Sequence, residues 1–361
     1  MTRYRDLQES LLDRPRRWLV TGVAGFIGSH LLEQLLRLEQ EVVGLDNFAT
    51  GYQHNLDDVA RRVGARTFQN FRLITGDIRD LATCQEAMQG VELVLHEAAL
   101  GSVPRSMVEP LASHQTNVDG FVNVLLAAHE AGIERVVYAS SSSVYGDEAS
   151  SPKVEARRGR LLSPYAATKM IDELYADTLG RTHGIDAVGL RYFNVFGPRQ
   201  DPHGAYAAVI PRWTELLISG QACSVFGDGS ASRDFCFVDN VVQANLLAAL
   251  APSSALEERV FNVACGHSTT LTELFTIIRR QVAAELDETA LSALRREPPR
   301  AGDIQHSLAS IARAQRALGY EPAVDVQTGL ERTVRWFLER AARPESSGLA
   351  PISTQPAREA S

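Results

Sequence analysis

The chain has 361 residues, of which 45% are hydrophobic and 22% are charged. This is enough for one large hydrophobic core and a smaller second lobe, at roughly 100 to 200 residues per domain. The formal net charge of −8 argues against general binding to nucleic acid or anionic membranes, so an anionic substrate would need a local basic pocket. No run approaches the roughly 18 apolar residues of a membrane span, and the N-terminal segment MTRYRDLQESLLDRPRR lacks the apolar centre of a signal peptide.

The cysteines indicate neither a metal site nor a disulfide framework. Four are present, Cys84, Cys223, Cys236 and Cys265, and they are far apart with no CxxC pair. Reduced thiols are typical of the cytoplasm, which is the compartment that we expect.

From Trp18 onward, short apolar runs alternate with amphipathic stretches. The apolar runs are RWLVTGVAG, EVVGLD, FRLITGDI, VELVLHEAAL and RVVYASSSSVYG, and SHLLEQLLRL is an amphipathic stretch after the first of them. Such alternation predicts successive strand–helix units. We therefore expect an α/β fold of the Rossmann type, with a doubly wound parallel sheet covered by helices on both faces.

The chain is predicted to form two interleaved lobes. We assign residues 17–199 to a nucleotide-binding lobe, because the sequence after Gly197-Pro198 becomes irregular and predicts loops around a ligand rather than more sheet. DFCFVDNVVQANLLAAL and RVFNVACG predict a helix and a strand that return to the first lobe at residues 234–266. Residues 200–233 and 267–341 then form a smaller substrate lobe. Residues 342–361, rich in Ala, Ser and Pro, predict a disordered tail.

A glycine-rich turn follows the first predicted strand. Its glycines are Gly22, Gly25 and Gly28. They would allow a tight turn, close approach of the backbone to a pyrophosphate and tight helix packing, although such a trio alone can be merely a turn. The next strand ends in Asp46, whose carboxylate can bind both ribose hydroxyls and would repel a 2′-phosphate, so we expect NAD rather than NADP. Asp77 and Ile78 end the third strand and either border the adenine or form a solvated strand end.

SPYAATK predicts the start of an amphipathic helix, with Ser163 as the N-cap and Pro164 at the first helical position. Tyr165 and Lys169 are four residues apart and therefore project from one face. A phenol is a weak base at its usual pKa of about 10, but a neighbouring ammonium and the nicotinamide charge favour the phenolate. The pair is predicted to act as a general base, whereas YxxxK alone would more often be a core tyrosine beside a surface lysine.

Four consecutive serines end another predicted strand. They are Ser140, Ser141, Ser142 and Ser143, in RVVYASSSSVYG. The carboxyl end of a parallel strand is where such folds bind ligands. One of these hydroxyls can therefore share a proton with Tyr165 and a substrate hydroxyl.

Together these motifs resemble the extended short-chain dehydrogenase/reductase family. The resemblance rests on TGVAGFIG, LDNFATG, GDI, HEAAL, SSSSVYG, SPYAATK and RYFNVFGPRQ, and RDFCFVDN and RAGDIQHS extend it to about residue 307. It implies that Ser141 is the catalytic hydroxyl, that Tyr165 accepts or donates the proton, and that Lys169 also holds the nicotinamide ribose. Further residues stand where relatives line the NAD channel: Phe26, Ile27, Asn47, Ala98, Ala99, Thr116 and Phe193. HEAAL departs from the commoner His-Gln or His-Leu form by carrying Glu97, to which the resemblance assigns no role.

The family contains epimerases, dehydratases and decarboxylases. Enzymes of the last two kinds usually carry an acidic residue after the catalytic hydroxyl, whereas Ser142 and Ser143 follow Ser141 here. With no carboxylate expected in the site, the pattern favours oxidation and re-reduction at a single carbon. The implied reaction inverts C4 of a UDP-linked sugar through a transient ketone.

The resemblance also implies residues that bind the UDP-sugar. Arg233 and Arg300 stand where related nucleotide-sugar enzymes hold the diphosphate, and arginine suits forked phosphate contacts. Asn194 would hydrogen-bond the diphosphate or the sugar, and the segment from Val209 to Trp213 would border uridine.

A closer likeness links the chain to bacterial UDP-N-acetylglucosamine 4-epimerases of polysaccharide biosynthesis. It is carried by AALGSVPRS, with Gly101 and Ser102, by RQDPHGAYAAVIPRW and by GDIQHS. In that subgroup the residue at Ser307 is a gatekeeper, and serine leaves space for an N-acetyl group where tyrosine would not. The likeness implies interconversion of UDP-GlcNAc and UDP-GalNAc, and extends to the corresponding uronates.

Two alternatives stay open. The first is a UDP-glucose or UDP-glucuronate 4-epimerase; the second is a non-catalytic NAD-binding regulator, against which the intact Ser141, Tyr165 and Lys169 argue. Nucleic-acid binding is disfavoured because the chain has no basic stripe. Helices around residues 107–131 and 164–182 match those that pair in relatives, which implies a homodimer built on a four-helix bundle.

Overall fold

The computed structural model describes residues 2–203, 207–286, 293–298 and 305–342. The helices of these residues are α1 (Arg3–Asp13), α2 (Phe26–Arg37), α3 (Gln53–Val63), α4 (Ala65–Phe68), α5 (Leu81–Ala87), α6 (Val103–Val108), α7 (Pro110–His114), α8 (Gly120–Ala131), α9 (Pro164–His183), α10 (Val209–Ile218), α11 (Val238–Leu250), α12 (Leu271–Leu286), α13 (Ala312–Leu318) and α14 (Val326–Ala341). The strands are β1 (Arg17–Thr21), β2 (Glu41–Asp46), β3 (Phe71–Thr75), β4 (Leu93–His96), β5 (Arg135–Ser141), β6 (Ala187–Tyr192), β7 (Val195–Phe196), β8 (Cys223–Phe226), β9 (Ser232–Arg233), β10 (Cys236–Phe237), β11 (Val260–Val263), β12 (Thr269–Thr270), β13 (Leu294–Glu297) and β14 (His306–Ser307).

A seven-stranded parallel sheet forms the centre of the protein. Its strand order is β11-β6-β5-β4-β1-β2-β3, and every neighbouring pair is parallel. From β1 the chain moves outward through β2 and β3, then crosses to β4 and moves outward in the other direction. A doubly wound sheet binds ligands at this reversal, beyond the carboxyl ends of the strands. The predicted Rossmann-type α/β fold is confirmed.

Helices cover both faces of the sheet, each with its own hydrophobic core. On one face, α2 and α11 pack on the sheet around Trp18, Leu35 and Leu247. On the other, α5, α8 and α9 pack around Phe121 and Tyr138, whose ring centroids are 4.9 Å apart. The strands are apolar on both faces because both faces are covered.

The second lobe has a core of its own. Helices α10, α12 and α14 pack around Trp213 and Phe275, whose rings meet edge to face at 5.8 Å. The expectation of loops after Gly197-Pro198 is wrong for the last three residues of DPHGAYAAVIP, because α10 begins at Val209. Its buried Ile210, Trp213 and Leu217 recur at helical spacing, and Pro211 lies in the first turn, where a missing N–H is tolerated.

The chain returns from the second lobe to the main sheet. The predicted helix and strand are present as α11 and β11, and β11 pairs in parallel with β6 at the edge of the sheet. Asp234, just before them, is buried and accepts backbone N–H bonds from Cys265, Gly266 and Ala309. Burial raises the pKa of Asp234 to about 6, although these hydrogen bonds oppose the shift. This carboxyl group therefore joins segments far apart in sequence.

Helix α1 and the C-terminal end complete the described chain. Leu11 of α1 is buried, and Tyr4 and Leu7 pack against the same core. None of the described helices is long and apolar enough to cross a membrane. Residues 343–361 of the predicted tail lie outside the described residues.

Candidate active site

A cavity of about 850 Å³ opens beyond the carboxyl ends of the sheet strands, between the two lobes. Its volume lies within the usual range for small-molecule sites. Among the predicted NAD-binding residues, it is lined by Gly22, Gly25, Phe26, Ile27, Gly28, Asp46, Asn47, Ile78, Ala98, Ala99 and Thr116. Among the predicted catalytic and sugar-binding residues, it is lined by Gly101, Ser102, Ser141, Ser142, Ser143, Tyr165, Lys169 and Asn194.

The glycine turn joins β1 to α2 with very little space. Gly22 has a φ of +68°, a left-handed conformation that favours glycine. A Cβ at Gly28 would lie 2.1 Å from the carbonyl oxygen of Gly22, so any other residue would push α2 away from the turn. The turn thus brings the N-terminus of α2, with its free N–H groups, to the edge of the cavity.

Asp46 at the end of β2 is positioned by the backbone. Its Oδ2 accepts from Ala24 N at 2.9 Å and its Oδ1 from Phe48 N at 2.8 Å. Burial raises the pKa of Asp46, and these two hydrogen bonds oppose that change. Each carboxylate oxygen retains acceptor capacity, because a carboxylate has about four lone-pair positions. Asp46, the glycine turn and the N-terminus of α2 therefore fit an adenosine ribose and pyrophosphate.

Asp77 lies near the cavity residues that follow Asp46, on the side of the cavity formed by the glycine turn. Its carboxylate accepts from Asn47 Nδ2 at 2.8 Å and from Arg79 Nη2 at 2.7 Å. The hydrogen bond from Arg79 is the main reason that the pKa of Asp77 falls to about 2. Gly76, Ile78 and Arg79 line the cavity, so Asp77 orients Asn47 and Arg79 beside it.

Helix α9 begins as predicted and carries the reactive pair. Ser163 is its N-cap and accepts from Ala166 N at 3.1 Å, which confirms the predicted cap. The backbone N–H of Tyr165 donates to Ser106 Oγ of α6 at 3.0 Å. The start of α9 is therefore held from two directions, and Tyr165 and Lys169 both face the cavity.

Lys169 is buried and paired with an acid on its own helix. Its Nζ lies 3.1 Å from Asp172 Oδ2, with side chains 2% and 1% exposed. Burial alone would lower the pKa of Lys169, but Asp172, Tyr165 and Glu97 together raise it. The ammonium charge is therefore retained beside Tyr165.

The serines at the end of β5 have different roles. Ser141 Oγ lies 2.6 Å from Ser143 Oγ and also accepts from Ser143 N at 3.2 Å. Ser140 Oγ instead donates to Glu173 Oε1 at 2.6 Å, and Glu173 forms a buried ion pair with Arg191 at 2.7 Å. Ser141 and Ser143 thus form a hydroxyl pair in the cavity, while Ser140 ties β5 to α9.

An unexpected carboxyl group lies in the cavity. Glu97, after β4, lines it and accepts from Tyr192 Oη at 2.7 Å. The sequence expectation of a site without an additional carboxylate is therefore wrong. That expectation was based only on the residues after Ser141. The parallel sheet places the ends of β4 and β6 beside the end of β5, so Glu97 after β4 reaches the same cavity.

Six predicted contact residues that the structure describes do not line the cavity: Asp77, Phe193, Val209, Trp213, Arg233 and Ser307. Phe193 is fully buried against Tyr145, in a small core behind the site. Trp213 belongs to the core of the second lobe, and its Nε1 donates to Ser224 O at 3.2 Å. Val209 packs against that core, whereas Ala207 and Ala208, just before it, line the cavity. Phe193, Val209 and Trp213 are therefore not among the residues that line this cavity, and their contact with a ligand stays a prediction.

The predicted substrate residues of the second lobe lie at a short three-stranded sheet. In it, Arg233 of β9 is in register with Ser307 of β14. Arg233 Nη1 donates to the carbonyl oxygens of Ser232 and Gln305. Asn194 lines the cavity and its Nδ2 donates to Asp234 O at 3.0 Å. Arg300 lies outside the described residues.

Arg105 is a cavity residue that was not singled out from the sequence. It lines the cavity from α6, whose N-cap is Ser102 with a φ of +106°. With Arg79 and Lys169 it supplies the local positive charge that an acidic protein needs to bind a phosphorylated ligand. AALGSVPRS contains the arginine, but only the turn at Ser102 and the short α6 direct it inward.

The doubly wound sheet, the glycine turn and the Ser141–Tyr165–Lys169 set define an NAD-dependent enzyme of the extended short-chain dehydrogenase/reductase class. The chain matches the NAD dependent epimerase/dehydratase family over residues 18–264. It belongs to this family, and its cofactor is NAD.

Three similar proteins are UDP-sugar 4-epimerases. The chain is 38% identical to a UDP-glucose 4-epimerase of Mycolicibacterium smegmatis, over 90% of this chain and 99% of that protein. It is 35% identical to UDP-glucuronate 4-epimerase 3 of Arabidopsis thaliana, over 89% of this chain and 76% of that protein. The solved UDP-N-acetylglucosamine 4-epimerase of Methanobrevibacter ruminantium, in complex with UDP-N-acetylmuramic acid, has a TM-score of 0.81 and 36% identity, and covers 90% of this chain and 99% of that chain.

Proposed function

We propose that this protein is an NAD-dependent UDP-sugar 4-epimerase that interconverts UDP-N-acetylglucosamine and UDP-N-acetylgalactosamine. The observation that carries the reaction type is the presence of Ser141, Tyr165 and Lys169 in one cavity with Asp46 and the glycine turn. A non-catalytic NAD-binding protein would not require these three residues together. Relatives that act on three different UDP-sugars support the nucleotide-sugar class.

In this reaction, Tyr165 removes the proton from the C4 hydroxyl of the sugar. Lys169 favours the charged tyrosine by its own positive charge, and Ser141 hydrogen-bonds the same substrate oxygen. Bound NAD, held by the glycine turn and Asp46, would supply the hydride acceptor and donor for C4. The ketone formed at C4 rotates in the cavity, and Tyr165 then returns its proton to the C4 oxygen as the ketone is reduced. No net oxidation occurs.

The preference for N-acetylated sugars rests on Ser307. Its strand β14 is in register with Arg233, the residue that we propose holds the diphosphate with Arg300. A small side chain at Ser307 leaves space for an acetamido group beside the sugar, and the same space would accept the corresponding uronates. Asn194 would add a hydrogen bond to the diphosphate or sugar.

Product analysis with purified protein tests this proposal. Without added NAD, the protein is incubated separately with UDP-GlcNAc, UDP-GalNAc, UDP-glucose and UDP-glucuronate, and the C4 epimers are resolved by chromatography. We expect the two N-acetylated sugars to be converted to each other with the highest kcat/KM. Faster conversion of UDP-glucose or UDP-glucuronate would support the alternative epimerases, and no conversion of any sugar would contradict the reaction type.

We also propose a homodimer in which α9 and the helices of residues 107–131 pair across a two-fold axis. Apolar side chains are exposed on this side of the protein: Met107 (62%), Val108 (71%), Leu111 (75%), Leu174 (52%) and Tyr175 (42%). Exposed apolar side chains concentrated on neighbouring helices are typical of an interface. A four-helix arrangement of two copies would cover them.

A further inference from the structure

A short segment connects the nucleotide-binding lobe to the second lobe beside the cavity. We refer to residues 198–201 as the connecting segment. They follow β7, and two of them, Gln200 and Asp201, line the cavity. The proposed reaction gives neither residue a role. The way in which the two ends of this segment are attached determines whether it can move relative to the site.

The inner end of the connecting segment is fixed by buried contacts with α2. Arg199 Nη2 lies 2.7 Å from Glu33 Oε2, with side chains 1% and 14% exposed. His30 Nδ1 lies 2.9 Å from the same Nη2, and His30 Nε2 lies 2.9 Å from Pro198 O. Because an arginine can only donate and a carbonyl can only accept, His30 is the neutral tautomer with its hydrogen on Nε2. It joins two consecutive residues of the segment to α2.

The outer end of the connecting segment is attached by a hydrogen bond between partly exposed groups. Tyr52 Oη donates to Asp201 Oδ2 at 2.7 Å, and Tyr52 is 40% exposed. The other carboxylate oxygen accepts from His203 N at 2.9 Å. A hydrogen bond between partly exposed groups competes with hydrogen bonds to water. This end can therefore open while the buried end stays in place.

Tyr52 belongs to the part of the cavity that fits the dinucleotide. Its backbone N–H donates to Ala24 O of the glycine turn at 3.0 Å, and Ala24 N in turn donates to Asp46 Oδ2. From α6, the cavity residue Arg105 is close enough to interact electrostatically with Tyr52. The hydrogen bond between Tyr52 and Asp201 therefore joins two walls of the cavity beside the site that fits the adenosine ribose and pyrophosphate.

We propose that the hydrogen bond between Tyr52 and Asp201 is a latch that closes the connecting segment over the dinucleotide and slows the release of NAD. When the bond is formed, the segment is held at both ends; when it is broken, the buried end alone stays attached. The proposed reaction regenerates NAD in every turnover, so slow release of the cofactor is compatible with it. The latch requires only that NAD binds in the cavity, and it does not depend on which sugar is converted.

The dissociation rate of NAD tests the latch without turnover. Purified protein is loaded with isotope-labelled NAD, an excess of unlabelled NAD is added, and the label that remains bound is followed over time. Tyr52→Phe keeps the ring but cannot donate the hydrogen bond. We expect NAD to dissociate about tenfold faster from this variant, as for the loss of a partly exposed hydrogen bond to a charged group. Tyr4→Phe, on α1 and outside the cavity, is the matched control and should release NAD at the wild-type rate.

Asp201→Asn distinguishes a latch from two independent contacts with the cofactor. The amide keeps an oxygen for His203 N–H but loses the negative charge, so NAD should dissociate faster than from the wild type and no faster than from Tyr52→Phe. Combining the two substitutions should add nothing to Tyr52→Phe, because the same hydrogen bond is already absent. An unchanged dissociation rate in Tyr52→Phe, or additive effects in the double variant, would overturn the proposal. Because no UDP-sugar is present, the result is independent of whether the proposed epimerase reaction occurs.

Discussion

Lys169 and Asp172 form a buried ion pair within one turn of α9, with Nζ 3.1 Å from Oδ2. The pair is almost inaccessible to solvent, and Asp172 Oδ1 has no hydrogen-bond partner among the described atoms. Burial raises the pKa of Asp172 to about 6, although Lys169 opposes the shift. Asp172 is thus the group that keeps a buried lysine charged beside Tyr165.

The substitution Asp172→Asn tests this relationship. It leaves a polar side chain of the same size but removes the negative charge, so burial should lower the pKa of Lys169. We expect kcat to fall about tenfold and to fall further as pH rises, because neutral Lys169 no longer supports Tyr165. Removing one member of a buried pair also costs about 3 kcal/mol of stability. Thermal unfolding and the kcat–pH profile measure the two effects; an unchanged profile would contradict the role of Asp172.

Tyr165→Phe should abolish turnover without abolishing binding. The phenylalanine keeps the ring but has no hydroxyl to exchange a proton, and general acid–base groups contribute typically 10² to 10⁴-fold. We expect kcat to fall by about 10³-fold while the UDP-sugar Kd, measured by calorimetry, changes little. Tyr175→Phe, on the exposed side of the same helix, is the matched control. Substantial activity in Tyr165→Phe would exclude Tyr165 as the base.

Ser307→Tyr should change substrate preference rather than abolish activity. The larger side chain would occupy the space proposed for the acetamido group, so kcat/KM for UDP-GlcNAc should fall by at least about tenfold, in the range expected for steric discrimination. Conversion of UDP-glucose in the same preparation is the internal control and should change little. Equal losses on both sugars would mean that Ser307 is not a gatekeeper.

Leu174→Arg should disrupt the proposed dimer. Leu174 is 52% exposed on α9, and a charge buried at an apolar interface is strongly unfavourable. Sedimentation velocity should then detect mainly monomers, whereas Leu12→Arg, at a 45% exposed leucine of α1, should behave as the wild-type protein. Identical sedimentation of both variants and the wild type would exclude this interface.

The stability of the protein should decrease as pH rises because of Glu97. Its pKa is raised from 4.5 to about 8 in the folded state, so the folded protein retains a proton that the unfolded chain has lost. The contribution of Glu97 to the free energy of unfolding is complete below pH 4.5 and is lost as pH rises to about 8. Because Glu97 borders a cavity, solvent weakens the effect of its burial. We therefore expect the free energy of unfolding to fall by about 1 to 2 kcal/mol, which is less than the whole pKa shift would give.

Thermal unfolding of wild-type protein and Glu97→Gln across this pH range measures that loss. The Tm difference between them should grow in favour of Glu97→Gln as pH rises, while Glu257→Gln, at an exposed position, should follow the wild type. A Tm difference that is independent of pH would contradict the raised pKa of Glu97.

Local patterns determined much of the fold and part of the site. Apolar runs separated by amphipathic stretches identify parallel strands and covering helices, because a strand buried on both faces must be apolar along its length. The glycine turn, Asp46 and the spacing of Tyr165 and Lys169 could also be recognised locally, since each depends on one turn, one strand end or one helical face. α10 could have been recognised from its buried residues at helical spacing, although nearby proline and glycine obscured it.

The tertiary structure alone decided which separate strand ends share the cavity. Glu97 and Tyr192 are far apart in sequence, and only the order β6-β5-β4 brings their strand ends close enough to hydrogen-bond. The tertiary structure also buries the side chains of Phe193 and Trp213 in hydrophobic cores. It places Arg105 in the cavity wall. Side-chain direction and burial depend on neighbours supplied by other elements, and a local sequence pattern contains no information about those neighbours.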